Sequence, residues 1–345
     1  MKNSFLIFIL IVLTSFNCRS QVQAEPVFCA SPKVKMDSIH SYIYCASTDL
    51  LWNEVSKYIG EKPKTTIKNP TFDLLNKAVG QNYKSPLESS YVVAKCGKNQ
   101  DSIIQMINSE LNDKFNSTWD DAPLLGENDL LAFAQLQKKI QFKFPLSQTY
   151  SSIKFNNINY VHYFGTKLGD PNGFYKNLVI HDFKNVDNFI LQLKCKDSLD
   201  EVYLAKIPKN TTLNKTYFDA IYRIHLNKTT LANGNDLINI PYLQFDTTFH
   251  YQEMENCTLT NSPDPLTIKS FYQGITFDMD EDGIELSSRA AALMEFADYE
   301  NNPRLLAFDQ PFLIILKRKN SNQPYFLYWV SGTEFMRIVE NRKPN

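Results

Sequence analysis

The chain has 345 residues, 43% of them hydrophobic and only 11 of them glycine, which is enough apolar material for one large core. Its 36 basic and 37 acidic residues nearly balance, so no basic excess points to nucleic acid. No GxSxG, CxxC, HExxH or phosphate-binding glycine motif occurs, so we predict neither an enzyme nor a bound metal or cofactor.

Residues 1–24 are predicted to be a signal peptide. Lys2 supplies a positive charge, residues 5–13 form an apolar run, and Ala24 ends the small-residue cleavage site VQA. The apolar run is too short to span a membrane, and no later segment reaches the required length. We therefore expect a secreted, extracellular monomer with no transmembrane span. Lipid attachment at Cys18 is the alternative, and it would anchor the protein to the cell envelope.

Secretion permits disulfide bonds. Of the six cysteines, Cys18 lies before the predicted cleavage site, so the mature chain keeps an odd number and at least one thiol has no partner within it. Cys29 and Cys45 would close a short loop and are the pair that we favour. Cys96 is expected to be a buried free thiol.

Asn-x-Ser/Thr sequons are frequent in this chain. In a eukaryotic secretory pathway they would carry glycans on the surface. An asparagine-rich sequence also produces such triplets by chance, so both interpretations stay open. The sequon asparagines are Asn116, Asn210, Asn214, Asn227 and Asn256.

Helical patterns come first along the chain. Residues 25–69 are expected to form an N-terminal extension, in which an amphipathic stretch over 50–59 ends at Gly60. A helix is predicted over 71–79, and Asp101 would cap another that carries Ile103 and Ile107 on one face.

Strand patterns dominate after residue 140. The predicted strands cover 140–144, 158–164, 189–193, 202–207 and 237–245, the last with a bend at Pro241, and one helix is predicted over 216–224. Helices followed by strands indicate an α+β fold.

The most informative segment is 271–331, where an acidic turn leads into a run with period two. The odd positions from Glu285 hold every charge in this run, and the even positions hold none, which is typical of a strand lying on a core. The uncharged even positions are Ile284, Leu286, Ser288, Ala290, Ala292, Met294 and Phe296.

This segment has two other interpretations. Residues 287–296 have high helix propensity with Ser287 as an N-cap, so a short surface helix is the alternative to an insertable strand. The preceding DMDEDG matches the start of a calcium-binding loop. Arg289 stands where that loop requires glutamate, so no calcium site is predicted.

The segment resembles the reactive-loop region of the serpins. The shared features are EDG at 281–283, small residues up to Ala297, the box FDQPF at 308–312, and two closing strands at 312–316 and 325–330. SPLESSYVVAKCG at 85–97 is similar to a helix of that family that begins with Ser-Pro, and a polar turn and a second helix follow it.

The resemblance implies a serpin-like α+β fold with N-terminal helices, a large mixed sheet and a second, barrel-like sheet. It implies one domain over 70–345, an exposed reactive-centre loop at about 281–304, and a hairpin of strands 312–317 and 325–331 joined through 319–323. The family's central strand and full helix set cannot be matched between about 115 and 175, so some middle elements are expected to be missing.

The function that the resemblance implies is suicide inhibition of a serine or cysteine endopeptidase. The peptidase cleaves the loop, and the cleaved arm inserts into the large sheet before the acyl-enzyme is hydrolysed. The hinge and inserting face would comprise Glu281, Gly283, Ile284, Leu286, Ser288, Ala290, Ala292 and Met294. Ile284 and Leu286 are bulkier than the family's usual residues, which leaves open a non-inhibitory binding, carrier or surface protein.

The family's cleaved bond lies about fourteen residues beyond the hinge glycine, which places it here between Ala297 and Asp298, with Phe296 as the alternative recognition residue. The surrounding window, 294–300, contains no lysine or arginine. The target is therefore expected to be elastase-, chymotrypsin- or cathepsin-like and not trypsin-like, since trypsin pairs a basic residue with a buried carboxylate.

Overall fold

The structure is a computed structural model. It describes residues 24–78, 85–98, 100–120, 122, 130–167, 174–227, 229–232, 236–262, 266–285 and 304–339. The predicted signal peptide up to residue 23, with Cys18, lies outside these residues.

Four α-helices are described. They are α1 (Ser47–Ile59), α2 (Pro70–Ala78), α3 (Gln100–Phe115) and α4 (Leu213–Leu226). As the sequence predicts, α1 ends at Gly60, whose left-handed φ of 87° turns its N–H back onto the carbonyls of Ser56 and Lys57. α4 begins after Thr212, whose hydroxyl accepts a hydrogen bond of 3.1 Å from the Lys215 N–H. Short 3₁₀ turns lie at Ser89–Tyr91, Phe174–Asn177 and Gln252–Met254.

Twenty strands are described. They are β1 (Val27–Cys29), β2 (Tyr42–Cys45), β3 (Val92–Gly97), β4 (Leu131–Leu136), β5 (Lys139–Gln141), β6 (Ser147–Phe155), β7 (Asn159–Gly165), β8 (Leu178–Asn185), β9 (Asn188–Lys194), β10 (Asp200–Lys206), β11 (Thr230–Leu231), β12 (Leu237–Pro241), β13 (Leu243–His250), β14 (Thr258–Leu259), β15 (Leu266–Thr267), β16 (Tyr272–Met279), β17 (Gly283–Glu285), β18 (Leu305–Ala307), β19 (Phe312–Arg318) and β20 (Pro324–Val330).

These strands form three larger sheets. The central sheet has the order β1-β2-β20-β19-β10-β9-β8-β11, the stalk sheet has the order β18-β12-β7-β6, and the loop sheet has the order β13-β16-β17-β5. β3 pairs with β4, and β14 pairs with β15, as separate two-stranded sheets. The fold is therefore a mixed α+β arrangement with few helices and several sheets, as the sequence predicts.

The predicted C-terminal hairpin is present. β19 and β20 pair antiparallel from Phe312 with Val330 to Leu316 with Phe326, and every residue of both strands is buried. Both faces of this hairpin are covered, since α4 packs on the central sheet from one side. The loop sheet packs on the other side, where Phe277 stacks on Phe326 with ring centroids 4.9 Å apart.

Residues 25–69, which were expected to precede the domain as an extension, are built into the core. β2 pairs with β20 in the central sheet, and Ile43 of β2 has no exposed surface. α1 packs against β3 and β4. This segment completes one edge of the central sheet.

The predicted disulfide between Cys29 and Cys45 is not formed, because both residues are buried free thiols. β1 and β2 are parallel, and their register pairs Cys29 with Tyr44. Since side chains alternate along a strand, Cys45 faces the opposite side of the sheet from Cys29. Cys96 is also a free thiol, and it is partly buried.

The helix predicted at 85–97 is wrong. This segment forms a 3₁₀ turn and then β3, which pairs antiparallel with β4 over six residues. Val92 packs toward the main core, whereas Val93 packs toward α3, so the alternation of faces in a strand buries both β-branched residues. In the described part of the chain between residues 116 and 173, the elements of regular secondary structure are the strands β4 to β7.

A buried ion cluster fixes the chain between β4 and β5 to the central sheet. The Arg318 guanidinium donates to Asp200 at 2.5 Å, Asp197 at 2.7 Å and Glu88 at 2.6 Å. The Lys138 ammonium lies 3.1 Å from Asp200. Because these carboxylates bind both cations, the position of β5 is tied to the ends of β10 and β19.

Asp49 is a buried carboxyl group in the first turn of α1. One oxygen accepts a hydrogen bond of 2.6 Å from the Tyr44 hydroxyl, and the other has no hydrogen-bond partner among the described residues. Burial raises the pKa of Asp49 from 3.8 to about 7. The folded state therefore holds the proton more tightly than the unfolded state, and stability falls as the pH rises from about 4 to about 7.

We predict that Asp49→Asn stabilises the protein at pH 8, by about 4 kcal/mol at most, with a much smaller effect at pH 4. Urea-denaturation midpoints at both pH values measure the difference. Asp73→Asn is the matched control, since Asp73 is an exposed residue in the first turn of α2. An unchanged pH dependence in Asp49→Asn would contradict the assignment.

Candidate functional site: the two ends of the predicted reactive loop

The predicted hinge lies at a tight turn between β16 and β17. The Asp280 carboxylate accepts hydrogen bonds from the N–H groups of Asp282 at 2.9 Å and Gly283 at 3.2 Å. The Asp280 N–H in turn donates to the Gly283 carbonyl at 3.1 Å. Burial raises the pKa of the Asp280 carboxyl group. The aspartate-rich sequence thus closes the turn with its own side chain, as Asp does in tight turns.

Glu281 points inward from this turn, with 6% of its surface exposed. Its carboxylate accepts a hydrogen bond of 3.0 Å from the Tyr242 hydroxyl and another from the Gln148 amide. Its backbone carbonyl accepts the Leu146 N–H at 2.7 Å. Burial, with the Glu281 charge second, raises the pKa of Tyr242, so this phenol remains a donor. The hinge carboxylate is therefore held by residues of the stalk sheet and of its connection to β13.

Gly283 allows β17 to approach β5. A Cβ atom at this position would lie 2.1 Å from the Ile140 carbonyl oxygen and 3.2 Å from the Gln141 Cα. Backbone atoms cannot move aside as a flexible side chain can, so every other residue would push the two strands apart. The hinge glycine is needed for close packing of strands.

β17 lies between β5 and β16 and is antiparallel to both. Gly283, Ile284 and Glu285 pair with Gln141, Ile140 and Lys139. On the other side Ile284 pairs with Met279, and Glu285 with Asp278. The side chain of Ile284 is 1% exposed. The chain after the hinge thus begins as a strand inside the loop sheet.

The C-terminal end of the loop is held by an ion pair. Arg304 donates two hydrogen bonds of 2.6 Å to the two carboxylate oxygens of Asp236, which is 1% exposed. These hydrogen bonds raise the pKa of Arg304. Immediately after it, β18 pairs in parallel with β12. This end of the loop is therefore fixed to the stalk sheet.

A second cation supports the same end. The Lys206 ammonium is buried and donates to the Ala307 carbonyl at 3.0 Å and to the Asp309 carboxylate at 2.6 Å. It also donates to the Asp187 carboxylate at 3.0 Å. The segment from β18 to β19 is thus tied to β10, a central strand of the fold.

The other predicted loop residues lie outside the described residues. They are Leu286, Ser288, Ala290, Ala292, Met294, Phe296, Ala297 and Asp298.

The sequon asparagines are all described. Asn116, Asn210, Asn227 and Asn256 are exposed, and Asn214 is half-buried in the first turn of α4. Exposure makes these four side chains accessible to a glycosyltransferase on the folded surface. Glycosylation itself remains a prediction.

Sequence reasoning missed the partners that hold the two ends. Tyr242 and Gln148 are distant in the chain from Glu281, and nothing local marks Asp236 as the partner of Arg304. The only sequence feature that could have indicated this ion pair was Arg304 itself, a lone basic residue next to a strand. Among the described residues no group of three or more His, Cys, Asp or Glu is placed to hold a metal ion. No helix in the described ranges is long and apolar enough to cross a membrane.

No family model matches the sequence, and no curated protein matches it either. Solved structures do resemble the fold. A serpin from the trematode Schistosoma haematobium is 10% identical, with 84% of this chain and 93% of that chain covered at a TM-score of 0.50. The thermophilic serpin tengpin, in its native state, is 13% identical, with 86% of this chain and 89% of that chain covered at a TM-score of 0.50. The chain has the serpin fold.

Proposed function

We propose that this protein is a secreted inhibitor of a serine or cysteine endopeptidase, which acts by loop cleavage followed by strand insertion. The observation that carries the proposal is the position of β17 between β5 and β16, antiparallel to both. A cleaved arm that continued from Glu285 in the same direction would lengthen a strand that already exists.

The register of β17 determines which side chains would face inward. Continued along β16, it would place Leu286 beside Phe277, Ser288 beside Ile275 and Ala290 beside Gln273. These three partners are buried, whereas the alternate residues of β16, such as Thr276, are exposed. The even positions of the arm would therefore enter the core, and two of the three are small.

β4 would form the other side of the inserted strand. In the described part of the chain, β4 and β16 belong to separate sheets, and β4 leads through Gln137 and Lys138 into β5. Ala132 and Ala134 of β4 pack toward the main cores, on the same side as the even arm positions. Insertion would join the two sheets and add backbone hydrogen bonds on both edges of the arm.

The covalent step follows from the chemistry of the peptidase. Its serine hydroxyl or cysteine thiol loses a proton to the enzyme's general base and attacks the carbonyl carbon of Ala297. The bond between Ala297 and Asp298 breaks, and the Asp298 nitrogen leaves as an amine that takes up that proton. Burial of the even side chains, worth about 25 cal/mol per Å² of apolar surface, would then draw the acylated arm into the sheet.

The partner class follows from the loop composition and its C-terminal anchor. The window 294–300 offers Ala297 to an elastase-like enzyme and Phe296 to a chymotrypsin- or cathepsin-like one, and it has no basic residue for a trypsin-like one. Arg304 is bound to Asp236. These features support an elastase-, chymotrypsin- or cathepsin-like target.

A non-inhibitory binding or carrier protein is the second candidate. The observation favouring it is the short length of β16. This strand begins at Tyr272, so only residues 272–277 lie beyond its pairs with β17 and could bind an inserted arm. A short insertion releases less free energy than a long one. If insertion is slower than deacylation, the peptidase cleaves the loop and leaves, and the protein behaves as a substrate.

We predict that the purified protein forms an SDS-stable covalent complex with an enzyme of the elastase-, chymotrypsin- or cathepsin-like classes. Ser288→Arg should raise the stoichiometry of inhibition by at least about tenfold, because insertion would bury an uncompensated charge at a cost of several kcal/mol. Densitometry of complex and cleaved protein on gels measures this ratio.

Ser287→Arg is the matched control for this experiment. It makes the same change at the adjacent position, which the register would place beside the exposed Thr276, so its effect should be small. Equal effects of the two substitutions would show that no strand is inserted. Cleavage without a complex in the unmodified protein would favour the second candidate.

We predict cleavage between Ala297 and Asp298, within about three residues in either direction. Mass spectrometry of the C-terminal fragment released from the complex should therefore give a new N-terminus at Asp298. A stable complex with trypsin whose fragment begins at Leu305 would overturn both the position and the target class.

A further inference from the structure

Arg304 is unusual among the residues that follow the hinge. Between Gly283 and Ala307 the sequence contains two basic residues, Arg289 and Arg304. Arg289 belongs to the arm that would insert. Arg304 is thus the basic residue that lies on the far side of the predicted cleavage site, where a trypsin-like peptidase would find a basic recognition residue.

The guanidinium of Arg304 already has the surroundings that a trypsin-like pocket would supply. Nε and Nη2 donate to the two oxygens of Asp236 at 2.6 Å each. The Phe183 ring lies 5.7 Å from the guanidinium carbon. Asp236 itself is 1% exposed, so the ion pair is shielded from solvent on the carboxylate side. A bidentate pair and an aromatic ring together are a strong arginine site.

The backbone at Arg304 is also bound. Its carbonyl accepts the Leu237 N–H at 2.9 Å, and the next residue, Leu305, begins β18. The buried Asp236 carbonyl accepts the Thr166 hydroxyl at 2.7 Å, which fixes the residue that supplies the carboxylate. Because both members of the ion pair are held through their backbones, the pair has one defined geometry.

We propose that Asp236 is a specificity-determining residue that withholds Arg304 from trypsin-like peptidases. The inference rests on the proposed function only in taking the segment between β17 and β18 as the one offered to a peptidase. A trypsin-like enzyme binds the guanidinium of its substrate through a carboxylate at the bottom of a pocket. Asp236 competes for the same group from within the protein.

The strength of the competition between Asp236 and the peptidase carboxylate follows from the hydrogen bonds that must break. Extraction of Arg304 breaks two charge-assisted hydrogen bonds to a buried carboxylate, and each such bond is worth roughly a 10- to 100-fold change in an equilibrium. Lysine in place of arginine would keep a charge that trypsin accepts, but its single ammonium group cannot bind both carboxylate oxygens in the same bidentate way.

The test is limited proteolysis of the full chain with trypsin. Cleavage after Arg304 gives a fragment that begins at Leu305, and cleavage after Arg289 gives one that begins at Ala290, which serves as an internal reference. In Asp236→Asn the rate at Arg304 relative to Arg289 should rise roughly 100-fold. In Arg304→Lys it should rise less, by roughly 10-fold.

Asp309→Asn is the matched control, because it removes an ion pair with Lys206 at the same end of the loop and leaves Arg304 and Asp236 intact. Its ratio of cleavage at the two arginines should stay at the unmodified value. Circular dichroism and thermal melting establish which variants fold, and Arg304→Lys decides the outcome if Asp236→Asn does not.

Fast cleavage after Arg304 in the unmodified protein would overturn the inference. So would an unchanged cleavage ratio in Arg304→Lys or in a folded Asp236→Asn. An equal rise of the ratio in Asp309→Asn would also overturn it. The measured quantity is a cleavage ratio and does not depend on complex formation. Failure of inhibition would therefore leave this result standing, and the two proposals can fail separately.

Discussion

The close approach of β17 to β5 at Gly283 is the contact on which the rest of the site depends. With a Cβ placed 2.1 Å from the Ile140 carbonyl, no other residue could begin a strand there without moving β5. β5 is not free to move, because Lys138 just before it is buried in the ion cluster with Asp200 and Arg318. The fixed strand β5 and the missing side chain of Gly283 together determine where β17 begins in the loop sheet.

The two ends of the loop are held in different sheets, yet they are connected. Tyr242 lies between β12 of the stalk sheet and β13 of the loop sheet, and its hydroxyl binds the hinge carboxylate of Glu281. The same β12 pairs with β18, just after Arg304. A buried carboxylate at each end is satisfied by fixed donors, so each end has a defined position. The ends therefore serve as two fixed points. Under the proposed function, cleavage between them would separate an arm that enters the sheet from a C-terminal part that stays in place.

The elements that the sequence made predictable are those with strong periodicity. Uninterrupted apolar runs identified β19 and β20, and the left-handed glycine Gly60 ended α1 as expected. Segment 85–97 was misassigned, because its family match outweighed the β-branched pair Val92 and Val93, which only β4 could satisfy. The short spacing between Cys29 and Cys45 favoured a disulfide between them. It could not show that the register of β1 and β2 places the two side chains on opposite faces of the sheet. Asp236 and Arg304 are 68 residues apart in the sequence. They meet because β18 pairs with β12, and such a distant pairing leaves no local sequence pattern.

The position of β17 changes what the bulky residues after the hinge imply for insertion. Ile284 would slow insertion if it had to enter a closed sheet after cleavage, but it is already buried between Met279 and Ile140. In the proposed insertion, the step that remains would begin at Leu286 and continue through the small residues Ser288, Ala290 and Ala292. Leu286 would then be the first large side chain to enter, and Met294 would follow only after these three small residues. Under the proposed function, the competition between inhibition and hydrolysis would therefore depend first on how readily the core beside the buried Phe277 admits Leu286, since dense cores resist added volume.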